Sequence, residues 1–462
     1  MVENKYDCLI LGCGPAGQKA ALAVSKMGKK AAIIEPRFLG GICTNTGTVP
    51  SKTFREAAIH LTNHRLRYMD RAFVQKPSME SLVNRVEWVI NKETEVIERN
   101  LKSNRIDIIS GYGRFVDTHT VEVTDKSGTV LGTYKAEKVI VCSGTQPFLP
   151  PDVPFDEQKI FYTDNVLKMK KLPRSLTIVG GGIIGMEFCS IFSILGVKVN
   201  LVEKCSEILS LIDRDIRANL ISQLDGRKTV FHLNDTVMTC KVDEQGHVSM
   251  VLESGKVVRS ESALYCNFRT VNSEALGLDK VGVKITPRGI IEVNGLYQTT
   301  NPDIFAAGDV VGHPQLASTS FEQGRIAGTN AFGGICMPMS TNFPIGIYTV
   351  PEISYAGPTE AELTEKKIPY GVGKAYYKDT ARGNIMGALD GVVKILFHQD
   401  TKKVLAVHVI GENATELVHV GQAVLELGGT IDYFINNVFN YPTLAETYKY
   451  AALAGLNRLN DV

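Results

Sequence analysis

Cys43 and Lys52 are the first residues in the chain whose types and spacing could do chemistry together. They fall in Gly40-Gly41-Ile42-Cys43-Thr44-Asn45-Thr46-Gly47-Thr48-Val49-Pro50-Ser51-Lys52, where Pro50 suits the start of a helix that carries Lys52 early on. A thiol beside a lysine ammonium and a helix N-terminus ionises more readily than a free one, so Cys43 reads either as a thiolate or as a small apolar residue. Nine cysteines, at positions 8, 13, 43, 142, 189, 205, 240, 266 and 336, form an odd set with no C-x-x-C spacing. They suggest neither a disulfide framework nor a zinc site, which fits a reducing cytosol, and no metal is expected.

Two glycine-rich turns indicate what the chain holds. Tyr6-Asp7-Cys8-Leu9-Ile10-Leu11 is a short apolar strand running into Gly12-Cys13-Gly14-Pro15-Ala16-Gly17, with a helical pattern to about Met27 and a strand from Lys30 to Glu35. Gly12 permits the tight turn, Gly14 lets the backbone approach a pyrophosphate, and Gly17 allows close helix-strand packing. Glu35 then supplies a carboxylate for a ribose hydroxyl. The pattern recurs at Leu176-Thr177-Ile178-Val179-Gly180-Gly181-Gly182-Ile183-Ile184-Gly185, and the strand Lys198 to Glu203 ends in a second acid. In both copies the acid lies eighteen residues after the last glycine. Two copies with strand, helix and acid in register point to dinucleotide binding at each. Glu187 lies early in the second helix.

These turns need elements to hold them. Residues 104–148 alternate apolar and polar positions around Asp125-Lys126-Ser127-Gly128, which predicts an antiparallel meander between the two Rossmann-like repeats. Ile304-Phe305-Ala306-Ala307 predicts a strand that returns to the first repeat, with a helix from about Ser318. Beyond Thr341 the pattern becomes antiparallel, with strands over Val392 to Phe397 and Lys403 to Val409 and a capping box at Thr359-Glu360-Ala361-Glu362. The fold class is therefore α/β, two Rossmann-like domains followed by an α+β unit. Trp88, the single tryptophan, falls in an amphipathic pattern from about Ser78 to Asn100 and is expected in a core or an interface.

At 462 residues, 44% apolar and 21% charged with a net charge of +1, the chain has the composition of a soluble multidomain protein. No basic patch asks for nucleic acid, and the apolar stretch from Leu176 to Val202 is too glycine-rich and interrupted to read as a membrane span. The first strand begins near Tyr6, which leaves too few residues for a signal or transit peptide and suggests a cytoplasmic protein.

Together these residues resemble the class I pyridine nucleotide-disulfide oxidoreductases over nearly the full chain. The resemblance implies a glutathione reductase-like fold with FAD on the first fingerprint and NAD(H) or NADP(H) on the second. It implies an FAD-binding domain over 1–150, an NAD(P)-binding domain over 151–268, a second part of the FAD domain over 269–338 and a dimerisation domain over 339–462. Asp309, after Gly308, matches the aspartate that holds the ribityl chain. Ala317 matches a backbone contact near the isoalloxazine, Gly113 an adenine-side contact and Gly144 a further cofactor contact. Arg269, in Asn267-Phe268-Arg269-Thr270, matches a Gly-Arg segment of the nicotinamide site, with Phe268 in place of the glycine. Lys52 and Glu187 match a pair beside the flavin N5, where a fixed positive charge favours the reduced, anionic flavin. The plainer alternative for them is a surface lysine and a packed glutamate.

Two departures from the family decide the functional expectation. Thr48 stands where the family has the second cysteine of its redox disulfide, and a hydroxyl cannot form one. The closing segment Phe439-Asn440-Tyr441-Pro442-Thr443-Leu444-Ala445-Glu446 places Tyr441 where the family offers the partner subunit a histidine base. A phenol titrates near about 10, so it is a poor base at neutral pH. Cys43 is then an active thiolate, a remnant of the ancestral pair, or one half of a relocated disulfide with Cys13. Tyr441 either fills the volume of the lost imidazole or shapes an acceptor pocket.

The paired losses resemble the soluble, Si-specific NAD(P)+ transhydrogenase branch, as do Gly346-Ile347-Tyr348-Thr349-Val350-Pro351-Glu352-Ile353-Ser354 and the tail Ala451 to Leu459. The implied protein is a homodimer, or a larger homo-oligomer, that passes hydride between NADPH and NAD+ by a ping-pong route through flavin N5. The alternatives are a diaphorase or quinone reductase and a slow redox-sensing flavoprotein. Glu203 suits NAD, because a 2′-phosphate at about 5 Å and an effective dielectric of about 20 would cost roughly 3 kcal/mol per unit charge. Lys204 offsets part of that repulsion.

Overall fold

Apolar runs that end in glycine turns become buried parallel strands here, because each is followed by a helix that must fold back over the sheet. The computed structural model describes residues 5–62 and 77–460. The residues before the first strand, on which the expectation about a leader rests, lie outside the described ones. The chain divides into two compact units, one of Met1–Phe54, Val83–Leu149 and Asn267–Ser340, the other of Arg55–Leu82, Pro150–Cys266 and Thr341–Val462.

The first unit is built on one sheet, in the order Asp107–Ser110, Ala31–Glu35, Lys5–Leu11, Val130–Val141, Thr120–Thr124, Tyr112–Asp117, with Ile304–Ala306 also paired to Val130–Val141. Leu9 lies opposite Ala32, Ile33 opposite Ile108 and Ile10 opposite Ile140, all in parallel register. The strand Val130–Val141 serves two roles. Its first half closes the antiparallel meander, with Tyr134 opposite Val121, and its second half lies parallel to Lys5–Leu11 and to Ile304–Ala306. The meander is therefore shorter than residues 104–148. Asp107–Ser110 follows the long helix Met79–Ser103, and a crossover of that kind delivers a parallel edge strand.

Alternate residues of these strands feed two cores. Cys8, Ile10, Ile33, Ile140 and Phe305 face one side, and Leu9, Leu11, Ala32, Ile34, Val139 and Ile304 face the other. On the first side the helix Pro15–Lys26 packs against Ala317–Asn330, so closely that a Cβ on Gly324 would sit 2.0 Å from the Ala16 carbonyl oxygen. Trp88 lies on neither core and is 53% exposed beneath Arg85. Its helix buries the stripe Val86, Ile97, Leu101, and position 88 falls off that stripe, so of the two expectations, core or interface, the core one is corrected.

The second unit holds a parallel sheet in the order Val230–Leu233, Lys198–Glu203, Ser175–Val179, Ser262–Tyr265, Ile160–Tyr162, and a small antiparallel sheet over residues 237–260. Its C-terminal part is a five-stranded antiparallel sheet, Ile345–Ile347, Glu352–Ala356, Val404–Gly411, Val392–His398, Tyr370–Tyr376. The helices Ala414–Glu426 and Glu446–Asn460 cover it through Tyr377, Val393, Phe397, Val407, Phe434 and Tyr448. The expected capping box forms, with Thr359 and Glu362 bonding each other's backbone.

A charged cluster in this unit is built round a buried lysine. The Lys394 ammonium, with the whole residue at 0% exposure, donates to Asp213 at 2.6 Å, to Asp215 at 2.7 Å and to Glu360. No helix among the described residues is long and apolar enough to cross a membrane.

Candidate cofactor and active site

The two fingerprints fold into nearly superposable turns. Gly12 has φ +108° and Gly180 φ +110°, a left-handed backbone that a side chain resists. A Cβ on Gly17 would lie 1.9 Å from the Gly12 oxygen, and one on Gly185 would lie 1.9 Å from that of Gly180. Gly14 and Gly182, by contrast, have nothing within 4 Å of a notional Cβ. Each is the N-cap of a twelve-residue helix and supplies no side-chain cap. Pro15 opens the first helix and Ala16 is buried behind it. Open glycine backbone over an uncapped helix N-terminus is a cradle of the right kind for a diphosphate.

Both acids fold back onto their own turns. Glu35 accepts the Cys13 N–H at 2.8 Å and the Arg37 N–H at 2.9 Å. Glu203 accepts the Gly181 N–H at 2.5 Å and the Cys205 N–H at 2.8 Å. Each carboxylate is thereby fixed beside the cradle with capacity left for ribose hydroxyls. Lys204, next along, is exposed.

In the first unit a second group gathers around Asp309. The positive φ of Gly308, +85°, turns the chain after Ile304–Ala306, and the Gly308 N–H donates to Gln323 at 2.8 Å. Thr145 donates to Asp309 at 3.3 Å and Ser320 at 3.4 Å, both long bonds, and burial pushes the Asp309 pKa up. Arg269 donates through Nε to the Thr145 hydroxyl at 3.0 Å. The hydroxyls of Ser143 and Thr46 are buried with no partner in the protein. Buried polar atoms are normally satisfied, so these two hydroxyls and the weakly held Asp309 fit a polar ligand such as a ribityl chain.

Gly144, with φ +66° and open space on its Cβ side, borders this group, and Ala317 begins the helix Ala317–Asn330. A Cβ on Gly113 would lie 2.9 Å from the Leu11 side chain and 3.3 Å from that of Ile34, in the same sheet. Thr145, Ser143, Thr46 and Ser320 were not picked out by sequence; the strand-end run Ser143-Gly144-Thr145 beside a left-handed glycine was the available signal.

The Cys43 segment forms two helices, Gly41–Asn45 and Thr48–Leu61, the second beginning two residues before Pro50. Burial pushes the Cys43 thiol up, and its hydrogen bond with Thr48 and the charge of Lys52 recover only part of that shift. That direction favours the small apolar reading of Cys43, since desolvation outweighs the lysine. Cys13 is pushed up to about 12 by burial, and both cysteines are free, so the relocated disulfide is not formed. Lys52 is half-buried and is the fifth residue of its helix.

In the second unit Glu187 is 3% exposed and accepts the Tyr348 N–H at 2.8 Å. That bond ties it to the Gly346–Ser354 stretch. Tyr441 is 72% exposed, and Glu446 accepts the Thr443 N–H at 3.4 Å.

A pyridine nucleotide-disulphide oxidoreductase domain is matched by residues 6–324, and the dimerisation domain of the same family by residues 343–452. The chain belongs to this family. As a pyridine nucleotide-disulphide oxidoreductase it is an FAD-binding enzyme that uses nicotinamide nucleotides, and its C-terminal domain is that of a homodimer. Among curated relatives, the soluble pyridine nucleotide transhydrogenase of Mycobacterium bovis is 42% identical over 460 residues, covering 99% of this chain and 98% of its own. That of a Marinomonas species is 41% identical over 467 residues, covering 99% and 100%. Among solved structures, LpdA from Mycobacterium tuberculosis superposes with a TM-score of 0.91 at 26% identity, covering 97% of this chain and 99% of that one. The HOCl-induced flavoprotein disulfide reductase RclA from Escherichia coli gives 0.87 at 26% identity, with the same coverage.

Proposed function

We propose that this oxidoreductase is a soluble, Si-specific NAD(P)+ transhydrogenase that needs no redox-active disulfide. One observation carries the reading: Thr48, the first residue of the helix Thr48–Leu61, stands where a disulfide reductase would need a second sulfur, and Cys43 is a free thiol. Relatives of that name at 40–42% identity over the whole chain support it. When bound, FAD supplies the relay that carries hydride from one nicotinamide nucleotide to the other in ping-pong order.

The chain's own residues hold and orient. Gly12, Gly14 and Gly17 with Glu35 hold the adenosine diphosphate end of FAD, and Asp309 with Thr145 and Ser143 holds the ribityl end. Gly113, Gly144 and Ala317 line the remainder of that site, and Arg269 is a contact for the nicotinamide. Lys52 sets a fixed positive charge for the reduced ring, and Glu187, pinned by the Tyr348 N–H, keeps the Gly346–Ser354 backbone in place. Gly180, Gly182 and Gly185 with Glu203 hold the nicotinamide nucleotide. The Glu203 charge is already shared by two N–H groups, which together with Lys204 lowers the repulsion of a 2′-phosphate and supports use of both nucleotides. Tyr441 leaves the site without a general base, which hydride transfer does not require. The same reading places the protein in the cytoplasm and keeps the segments 1–150, 151–268, 269–338 and 339–462 as its domains.

The test is anaerobic turnover of the FAD-loaded protein with NADPH and thio-NAD+, then with NADH and thio-NADP+. Rapid transfer in both pairings is expected. Fast flavin reduction by NADH without transfer to either analogue would replace the proposal with a diaphorase.

A further inference from the structure

Lys394 stands on the strand Val392–His398, where Val393, Ile395 and Phe397 feed the core beneath the C-terminal helices and Lys394 alternates to the other face. Lys374 and His408 lie directly opposite it on the two neighbouring strands, so three groups that can carry positive charge share that face. What they meet is acidic. Asp213 and Asp215 lie 2.6 Å and 2.7 Å from the Lys394 Nζ, Glu360 is bonded to it as well, and Lys374 pairs with Asp215. Asp213 is buried and is the N-cap of the helix Arg214–Asp225, where it accepts the Asp215 N–H at 3.0 Å. A buried ammonium and a buried carboxylate this close hold each other in place, because separating them leaves both charges unpaired. The start of that helix is thereby fixed to the C-terminal sheet.

Asp213 also ends a strap that begins at the nucleotide turn. The Gly181 N–H donates to Glu203 at 2.5 Å, and the Leu209 N–H returns to the Gly181 carbonyl at 3.1 Å. The Ile212 N–H donates to the Leu209 carbonyl at 3.0 Å, and Ile208, Leu209 and Ile212 are all buried. A Cβ on Gly181 would lie 2.9 Å from the Ile208 side chain, so the strap and the turn are in contact. Glu207 pairs with Arg217 of the same helix at 2.7 Å. Anchored at Glu207, Leu209 and Ile212, the strap has little freedom, and the place of Asp213 bears on the place of Gly181 and Glu203.

We propose that Lys394 is a positioning residue for the nucleotide site. By anchoring Asp213 it fixes, through residues 203–213, the Glu203 carboxylate and the turn over residues 180–185 that hold the adenosine diphosphate half of a nicotinamide nucleotide. The proposal rests on the functional reading only for that nucleotide's place on the second turn. Such preorganisation shows as affinity, since a loosened strap must be ordered again when the ligand binds.

The test is the Kd for ADP-ribose, the half that this turn holds, and for NAD+, by calorimetry on the FAD-loaded protein, beside flavin content and urea unfolding. Asp213→Asn keeps a cap on the helix, because asparagine caps as well as aspartate, and removes one ion pair of Lys394. It is expected to raise both Kd values about three- to tenfold with bound FAD unchanged. The decisive variant combines Lys394→Met with Asp213→Asn and Glu360→Gln, which strands no buried charge. It is expected to recover most of the stability that Lys394→Met loses and to keep the raised Kd, since nothing then ties position 213 to the sheet.

Kd values within twofold of the wild type in both variants would overturn the proposal and leave the cluster as scaffolding alone. So would a Kd that rises only in proteins that also lose flavin or unfold in less urea, because the effect would then be general loosening. If the wild type fails to transfer hydride while the Kd rises as expected, the functional proposal falls and the tether stands; rapid transfer with an unchanged Kd reverses that.

Discussion

Cys43 shows how one neighbour changes the meaning of a residue. It is half-buried, and burial pushes its thiol pKa up. Cys43→Ser is therefore expected to keep nucleotide-to-nucleotide transfer within about threefold, below about 0.7 kcal/mol in barrier, as measured by steady-state kcat/KM. A loss of a hundredfold would return the thiol to the mechanism. Thr48→Cys is expected to give no lipoamide-dependent NADH oxidation, because Tyr441 still offers no base to the new pair. Lys204→Ala is expected to raise the KM for NADPH about fivefold and leave that for NADH alone. An exposed charge is worth only about 1 kcal/mol against a phosphate after solvent screening. Equal effects on both nucleotides would show that Lys204 does not read the 2′ position.

The turns that carry these residues were the most legible part of the chain, because their rules are local. A strand, three glycines, a helix and an acid lie within about thirty residues, and each position has its own steric reason. Gly185→Ala would place a Cβ 1.9 Å from the Gly180 oxygen, so the helix Ile183–Ile194 must move off its strand. The expected result is loss of NADH binding with FAD retained, whereas Gly17→Ala should lose FAD itself; flavin absorbance per chain and NADH titration read the two. Equal loss of FAD in both variants would contradict the assignment of one dinucleotide to each turn. Less legible were contacts between residues remote in sequence. Thr145 meets Asp309 across 164 residues, and no periodicity announces that pairing. The edge strand Asp107–Ser110 was hidden in the meander because alternation gives a strand's period and not its direction. Trp88 fitted an amphipathic helix, but its position falls off the buried stripe and leaves it exposed.

On the scale of the whole molecule, the charge sealed at Lys394 governs how the second unit responds to pH. Burial alone would raise Asp213 and lower Lys394, yet their hydrogen bonds win, holding Asp213 below the usual carboxylate range and Lys394 above the usual lysine one. Asp215, bonded by Lys374 and Lys394 against the effect of burial, is held at about 2. A carboxylate with a depressed pKa contributes stability that is present above its unfolded value, near about 4, and is lost as pH falls through the folded one. Lys394 contributes below its unfolded value, near about 10, and loses that contribution only as pH rises through its folded one.

His408 acts earlier. It is 1% exposed with Nδ1 unpartnered, and burial pulls its pKa down, so stability begins to fall as pH drops below the unfolded value of about 6.5. Urea unfolding from pH 7 to 5 should show a decline approaching about 1.4 kcal/mol per pH unit, and His408→Gln should remove it. A slope unchanged in that variant would assign the proton elsewhere. Lys394→Met tests the cluster directly. It leaves Asp213 uncompensated at 2% exposure, which should cost about 3–5 kcal/mol at pH 7 by urea unfolding. Adding Asp213→Asn and Glu360→Gln to Lys394→Met removes the stranded charges and should return most of that stability. If the triple variant is no better than Lys394→Met alone, the cluster acts through packing of the lysine stem and not through charge.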